Sequence, residues 1–590
     1  MTVSEYIFDF LQRKGVETVY MVSGSSSMWL TDSLYKNKKL HAVCTHHEQV
    51  AAMAADLYGR KNGIPGVALV TIGPGATNAI TGVAEAYVDS SPLFIISGQA
   101  SSKLLSYEQK TGIRQHGTQS LNLEPLVSSI TKYFAAVMDP ADIRYHMERG
   151  YFEAMNGRRG PVWIDVPVDI QNRQVPEDMK PFSYQNSKDA DSRDTRSMTS
   201  QNDFQEITQR ISNAKRPLIL AGGGMSKASV SAITQKLQIP VVTSRMGIDR
   251  IASDSQFFAG RIGAYGQRGA HFAIQQADLL LILGCRLSVS SIGYYPDRFA
   301  VNAYKIQVDI DPKELEKSDV PIDRKLCMST DAFVDSLAAT DKPECSEWVS
   351  YCKSLNTRYP VVIEDYHKCN PLNSYYFTSV LSRLAPEDAS VVVDTGSVCN
   401  VVSQTWSVKR EQQYFISGGL SCMGFWAASI GCCTDKKPVI VLSGDGSVSM
   451  NVQEFATLCY HNFPIKLFVY QNNGYMLIRH NQHNYMNDRF LGVGPESGVK
   501  TPDFCKVADA YGIPNRRISY GDNIEAKITE ILSMDGAVIC EVMLEQFGPL
   551  APRIASKVMP DGSLKAAEFD DLAPFLNDDE KPVLFHDIAT

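Results

Sequence analysis

Short apolar, β-branched runs punctuate this chain at regular intervals, and most of them break at glycine-rich turns. Val67–Thr71, Leu93–Ser97 and Val162–Val166 form a first group. Pro217–Ala221, Leu279–Leu283 and Ile306–Ile310 form a second, and Pro438–Ser443 and Ile465–Tyr470 a third. Uninterrupted apolar runs of this length mark strands buried on both faces, as in parallel sheets covered by helices. Between them lie longer segments of helical character, so the pattern predicts α/β architecture with doubly wound parallel sheets and right-handed crossovers. Polar stretches at 185–203 and 341–347 read as a linker and a joint. They divide the chain into units at 1–180, 204–340 and 360–555, followed by a tail over 556–590 that is acidic, interrupted by proline and expected to drape over a surface.

A chain of 590 residues accommodates the three or four cores this division requires. Its 44% hydrophobic and 21% charged content describe an ordinary globular protein. The net charge of -8 argues against nucleic acid or an anionic membrane as partner. No apolar run reaches the length of a membrane span, and no start segment has the form of a signal peptide. The 13 cysteines are odd in number and scattered, with Cys432 abutting Cys433, a pattern of reduced thiols. A cytoplasmic, bacterial or archaeal enzyme is the expectation.

Two strand ends carry the most specific chemistry. Pro438–Ser443 breaks at Gly444-Asp445-Gly446-Ser447, and Ile465–Tyr470 breaks at Gln471-Asn472-Asn473-Gly474-Tyr475. In an open α/β sheet these turns lie at the carboxyl ends of strands, where ligands bind. Asp445 offers a carboxylate oxygen, Asn472 an amide oxygen and Gly474 a carbonyl, a donor set suited to Mg²⁺. Gly444 and Gly446 let backbone approach a diphosphate closely.

The segment Gly-Asp-Gly-Ser-x-x-Met-Asn at 444–451, followed by a strand ending in Asn-Asn-Gly-Tyr at 472–475, resembles the cofactor motif of the thiamine diphosphate-dependent 2-oxo-acid decarboxylase and acetolactate synthase superfamily. The family writes two asparagines at the second turn; here the first is Gln471, and the ligand position falls on Asn472. The resemblance extends over about 550 residues, as three α/β domains of pyrimidine-binding, central and diphosphate-binding type. It implies thiamine diphosphate and Mg²⁺ as cofactors, with cofactor contacts from Gly444 to Ser447 and from Asn472, Gly474, Tyr475 and Met476. His47-Glu48, ahead of Ala51-Ala52, matches the start of the family's cofactor-activating helix, which makes Glu48 the residue that shares a proton with the pyrimidine. Gly73-Pro74-Gly75-Ala76-Thr77-Asn78 matches the family's Gly-Pro-Gly-x-x-Asn loop, and so assigns Gly73, Pro74 and Asn78 to the aminopyrimidine. Gln119, aligned through Thr131-Lys132, matches the glutamine that bonds the reacting carbonyl, although Gly117-Thr118 departs from the synthases' Ala-Phe; His116 is an alternative polar group there. Gly396, Ser397 and Val398 stand at the family's diphosphate loop, where the synthases have Gly-Gln-His. Met423 stands where a methionine supports the bent cofactor.

Departures from the family pattern narrow the expected reaction. Simple pyruvate decarboxylases carry an acid where this chain has Ile478, and a His-His pair elsewhere than His46-His47. The synthases' acceptor-selecting Trp is Asn481 here, and their Gly-Met-His-Gly is Gly263-Ala264-Tyr265-Gly266. The chain is therefore most similar in character to synthase-like carboligases of the yersiniose type, which add the two-carbon unit of pyruvate to a keto group of a nucleotide-linked deoxysugar. Acetolactate synthase proper, and a non-ligating 2-oxo-acid decarboxylase or lyase, are the alternatives. The resemblance also implies a small-molecule 2-oxo-acid donor, a carbonyl acceptor, and a homodimer or homotetramer. The central unit resembles the family's FAD-binding version through Arg286, Asp309, Ile310, Asp311 and Asp331, with ADP or no ligand as the other readings.

Overall fold

The computed structural model describes residues 1–183, 201–558 and 564–585. Of the expected linker, 185–200 lies outside the described residues, and 201–203 already belong to a helix, Gln201–Asn213.

Three six-stranded sheets organise the chain, and every pairing within them is parallel. The first contains β1 (Thr18–Met21), β2 (His41–Cys44), β3 (Gly66–Val70), β4 (Leu93–Gln99), β5 (Tyr133–Ala136) and β6 (Pro161–Pro167), in the order β2-β1-β3-β4-β6-β5. The central sheet contains β7 (Pro217–Ala221), β8 (Val241–Thr243), β9 (Phe258–Arg261), β10 (Leu279–Leu283), β11 (Tyr304–Asp309) and β12 (Arg324–Cys327), in the order β12-β11-β10-β7-β8-β9. The third contains β13 (Ser390–Val393), β14 (Gln413–Ile416), β15 (Val439–Gly444), β16 (Ile465–Gln471), β17 (Asn515–Ile518) and β18 (Val538–Met543), in the order β14-β13-β15-β16-β18-β17. The first and third sheets thus share one strand order, whereas the central sheet has the dinucleotide-fold order. In each case the order reverses at a switch point: β1/β3, β7/β10 and β13/β15.

The first and third units pack as one body. Residues of the helix Glu48–Asn62, including Ala51, Ala54 and Leu57, share a core with Phe425, Trp426 and Ile430 of the third unit. Small residues make the approach possible, since a Cβ on Gly431 would lie 2.0 Å from the Ala54 carbonyl oxygen. The helix is capped by His47, whose Nδ1 accepts from the Gln49 N–H at 3.1 Å, and this fixes Glu48 at its first turn.

The central sheet has its own core, which Phe569 and Phe585 of the tail enter. Arg268 donates to the carbonyls of Leu572 and Pro574. His271 stacks on Phe569 with ring centroids 4.2 Å apart. The described part of the tail is therefore anchored by buried aromatic residues, which is firmer than draping; 559–563 and 586–590 lie outside the described residues. No helix among the described residues is long and apolar enough to cross a membrane.

Candidate active site

The turn after β15 buries a carboxylate. Asp445 is 1% exposed; its Oδ1 accepts from the Gly446 N–H at 2.7 Å, and its Oδ2 from the Gly474 N–H at 2.9 Å and the Thr501 hydroxyl at 3.3 Å. Burial pushes its carboxyl up to about 6, against the pull of those donors. Asn472, at the end of β16, is 5% exposed; its Nδ2 contacts the Met476 sulfur at 3.5 Å, and its Oδ1 has no hydrogen-bond donor. A buried, unmatched amide oxygen costs about 1–3 kcal/mol unless something else uses its lone pairs. Beside a desolvated carboxylate, a hard cation is what this arrangement suits. Gly474 must be glycine, because its φ is +120° and a Cβ there would lie 2.2 Å from the Val493 carbonyl oxygen. Its carbonyl accepts from the Met476 N–H at 3.2 Å and retains a second lone pair. Asp445, Asn472 and Gly474 therefore fit Mg²⁺ as a set.

Across the switch point, the loop after β13 faces this turn. Val398 lies 3.7 Å from where a Cβ on Gly444 would stand, and a Cβ on Gly396 would meet nothing within 4 Å. Gly396 and Ser397 open the helix Ser397–Thr405, which presents its N-terminal N–H groups to this open space. Tyr475 packs its ring over Gly446. Ser447, expected as a cofactor contact, spends its hydroxyl internally: it donates to Asp394 at 2.7 Å and accepts from the Gly424 N–H at 2.7 Å. Asp394, fully buried, also accepts from the Ser443 hydroxyl and the Trp426 N–H, and so ties three loops together. Burial raises its carboxyl above the usual range.

Met423 is half-buried in a segment pinned to the first unit. Asp89 accepts from the N–H groups of Gly418 and Gly419, both at 2.8 Å, and Glu85 accepts from the Ser417 hydroxyl at 2.8 Å. Arg60 pairs with Asp56 at 2.6 Å and Asp89 at 3.2 Å, and donates to the Ile416 carbonyl at 2.9 Å. Burial foremost, and then the nearby Asp89 carboxylate, push Glu85 well above the usual carboxylate range against the pull of Arg60.

The first unit gathers a second cluster. Glu48 Oε2 accepts from the Asn78 side-chain N–H at 3.0 Å, and Oε1 lies 3.4 Å from where a Cβ on Gly75 would stand. Pro74 is the first residue of the helix Pro74–Val88. A Cβ on Gly73 would lie 2.8 Å from the Gln119 carbonyl oxygen, so Gln119 is next to Gly73. Gln119 has a φ of +61°, a left-handed conformation uncommon outside glycine and enriched at functional sites. Its loop is fastened by Glu108, which accepts from the N–H groups of His116 and Gly117 and from the Ser120 hydroxyl. Among the described residues, no hydrogen bond or ion pair joins this cluster to Asp445 or Asn472.

The candidate flavin residues are differently placed. Asp309 ends β11 and accepts from the Asp311 N–H at 2.9 Å, and Asp331 accepts from the hydroxyls of Ser226 and Ser229. Arg286 donates to the Val88 carbonyl of the first unit at 3.0 Å, and Asp311 pairs with Arg158 of the first unit at 3.0 Å. Ile310 is half-exposed. The glycine turns after β7 and β10 meet backbone to backbone: Gly224 N–H donates to the Gly284 carbonyl at 3.0 Å, and a Cβ on Gly222 would lie 2.0 Å from that oxygen. Two of the five residues thus serve contacts between units, and the glycines serve close packing.

Two sheets of one strand order flank a dinucleotide-type sheet, and the third carries a buried carboxylate–amide turn. This defines a three-unit α/β protein with a polar crevice at the switch point of its third sheet. Residues 1–125, 204–337 and 394–542 match, respectively, the N-terminal TPP binding, central and C-terminal TPP binding domains of the thiamine pyrophosphate enzymes. Acetolactate synthase 2, chloroplastic, from Nicotiana tabacum is 30% identical over 572 residues, spanning 94% of this chain and 83% of the tobacco protein. The acetolactate synthase isozyme 1 large subunit of Escherichia coli is 28% identical over 93% of this chain and 96% of its own length. A probable acetolactate synthase large subunit of Methanocaldococcus jannaschii is 29% identical over 97% and 98%. The chain belongs to the thiamine diphosphate-dependent enzymes and is acetolactate synthase-like, an enzyme of the transferase/lyase type.

Proposed function

We propose that this chain is a thiamine diphosphate- and Mg²⁺-dependent carboligase that decarboxylates a 2-oxo acid, pyruvate, and transfers the two-carbon unit to a carbonyl acceptor, a keto-deoxysugar nucleotide. The observation that carries the cofactor reading is the unmatched Asn472 oxygen beside buried Asp445. Thiamine diphosphate, when bound, supplies the carbon nucleophile and takes up the electrons released as the carboxylate leaves. Asp445, Asn472 and Gly474 would hold Mg²⁺, and Gly396, Ser397, Val398 and Gly446 the diphosphate. Glu48 has one oxygen tied to Asn78, which leaves the other to hold a proton at the pyrimidine nitrogen. Gln119 donates from its side-chain amide to the substrate carbonyl.

Ligation over aldehyde release is supported by Ile478, a half-exposed aliphatic side chain on the helix Met476–Met486 with no proton to give. Tyr265 of the central unit packs against the apolar cluster of Tyr375, Val401, Met476 and Leu550, which puts an aromatic ring of the Gly263–Gly266 loop next to the helix that bears Ile478. Acetolactate synthesis is the second reading, favoured by the names of the relatives. Incubation with pyruvate alone, pyruvate plus 2-oxobutyrate, and pyruvate plus a keto-deoxysugar nucleotide, with products identified by mass spectrometry, separates the two; acetolactate as the main product in all three would remove the sugar acceptor.

The lack, among the described residues, of any hydrogen bond or ion pair joining the Glu48 cluster to Asp445 or Asn472 is consistent with a homodimer or homotetramer in which each site draws on two chains; an active monomer in light scattering would contradict it. A structural FAD is supported by the strand order of the central sheet and by the carboxylates of Asp309, at the end of β11, and Asp331, in the helix Thr330–Ser336 after β12. The mutual closure of the Gly224 and Gly284 turns works against it, so no step is assigned to a flavin. An absorption spectrum of purified protein decides the matter.

A further inference from the structure

Arg479 is a cation with an unusual set of partners. It lies in the first turn of the helix Met476–Met486 and is 1% exposed. Among the described residues it makes no ion pair; its guanidinium instead reaches four backbone carbonyls. Nη2 donates to Asn473 at 2.7 Å and Val493 at 3.1 Å, while Nη1 reaches Asn472 and Gln546, each at 3.4 Å. Burial disfavours its charge, and the carboxylates of Glu496 and Asp445 offset this only in part; a planar fork feeding several carbonyls at fixed angles is what guanidinium does and ammonium does not.

The carbonyls it collects belong to the turn that bears Asn472 and to the segment crossing it. The Val493 carbonyl also accepts from the Tyr475 N–H at 2.8 Å and abuts Gly474. Further along that segment, the Thr501 hydroxyl reaches Asp445 at 3.3 Å and Gln471 at 3.2 Å. A strap from Val493 to Thr501 is thus fastened over the turn at both ends, by Arg479 at one and Thr501 at the other. Arg479 itself touches neither Asp445 nor the free Asn472 oxygen.

We propose that Arg479 is a positioning residue for the divalent-cation turn: by holding the carbonyls of Asn472, Asn473 and Val493 together, it presets Asn472 Oδ1 and the Gly474 backbone for the cation. This rests on the reading of Asp445 and Asn472 as cation ligands. Groups that orient ligands from behind alter metal affinity by about 10–100-fold when replaced, and Arg479→Met should fall in that range. Arg479→Lys should be intermediate, because an ammonium recovers some of the carbonyl contacts.

The test is Mg²⁺ binding by titration calorimetry on the full-length protein in the presence of thiamine diphosphate, together with melting temperatures with and without both. The expected result is weakened Mg²⁺ affinity in the order Arg479→Met, Arg479→Lys, wild type, with a smaller gain in melting temperature from Mg²⁺ plus thiamine diphosphate. A purely structural Arg479 would lower both melting temperatures together and leave Mg²⁺ affinity unchanged, which overturns the proposal. Should Arg479→Met fail to fold, Gly494→Ala serves instead, since its added Cβ would lie 2.5 Å from Nη2 and 2.6 Å from the Glu496 carboxylate and so crowd the fork without removing it. Wild-type Mg²⁺ affinity in folded Gly494→Ala and Arg479→Lys would likewise overturn it. Asp445→Ala is the reference: if it loses Mg²⁺ while the Arg479 variants bind normally, the positioning role alone fails; if it too binds normally, the ligand assignment fails first.

Discussion

The third sheet and the central sheet both reverse strand order between two glycine-bearing turns, yet they use the crevice in opposite ways. At β13/β15, Gly396 faces open space, Asp445 is desolvated and the Asn472 oxygen is unmatched. At β7/β10, the turns close on each other through Gly222, Gly224 and Gly284, and polar groups such as Asp331 are already satisfied from within. Topology provides the crevice in both places. On the proposed reading, what makes the third-sheet crevice a cofactor site is the open space at Gly396 beside the unmatched Asn472 oxygen; at the central crevice the facing turns pack on each other instead, and the tail residues Phe569 and Phe585 join that unit's core.

The largest effects should come from breaking the open crevice. Asp445→Ala removes a ligand outright, so the loss in Mg²⁺-dependent thiamine diphosphate affinity should exceed the ~100-fold upper range for residues that act from behind the ligands. Equilibrium titration of the cofactor measures it; wild-type affinity would mean that the open crevice is not the cation site. Glu48→Gln should leave that affinity nearly intact and lower turnover by about 10²–10⁴-fold, the range of positioned proton transfer. Near-normal turnover in this variant would remove Glu48 from the chemistry.

Alanine substitutions sharpen the comparison at intermediate size. Gly284→Ala adds a Cβ 2.6 Å from the Gly224 carbonyl carbon at a φ of +58°, so both strain and clash oppose it. Gly396→Ala, at a φ of +82°, meets only the strain. Positive-φ strain costs about 1–3 kcal/mol, and the clash adds to it at 284. Thermal denaturation should therefore rank Gly284→Ala below Gly396→Ala, while cofactor affinity should rank them the other way. Equal melting temperatures would mean that the central turns are not closed in solution.

Much of this contrast was legible in the sequence, for a physical reason. Strands buried on both faces, such as β10, β15 and β16, read as continuous apolar runs, and their terminal turns displayed Asp445 and Asn472 directly. Edge strands did not read that way: β12 is Arg-Lys-Leu-Cys and β17 is Asn-Arg-Arg-Ile, polar because only part of each is covered. Glu48 and Asn78 were found through motifs, and their hydrogen bond joins them. Arg479 was invisible because its partners are backbone carbonyls, one of them 67 residues away, and a carbonyl leaves no trace in side-chain identity. Ser447 was assigned to the cofactor by position, whereas its hydroxyl bonds to buried Asp394, a partner 53 residues earlier.

The smallest expected effect tests how the tail is held on the central unit. His271 Nδ1 lies 2.7 Å from the Phe569 carbonyl, and Nε2 lies 3.3 Å from the Gly263 N–H, so the neutral ring donates to the tail and accepts from the Gly263–Gly266 loop. A protonated ring would turn an N–H toward the Gly263 N–H and lose that acceptor. Burial foremost lowers its pKa to about 4, and nearby Arg268 acts in the same direction. Between about pH 6.5, where an unfolded histidine titrates, and about 4, the unfolded chain binds a proton that the folded chain refuses. Stability from this residue is therefore present above that window and lost as pH falls through it, at a slope of up to about 1.4 kcal/mol per pH unit. Other buried groups titrate in the same range, so the difference is what reads His271: in denaturant titrations at pH 7, 6 and 5 the wild type should lose more stability on acidification than His271→Phe, which keeps the stack on Phe569. If the variant declines as steeply as the wild type, His271 is not the group through which acid loosens the tail.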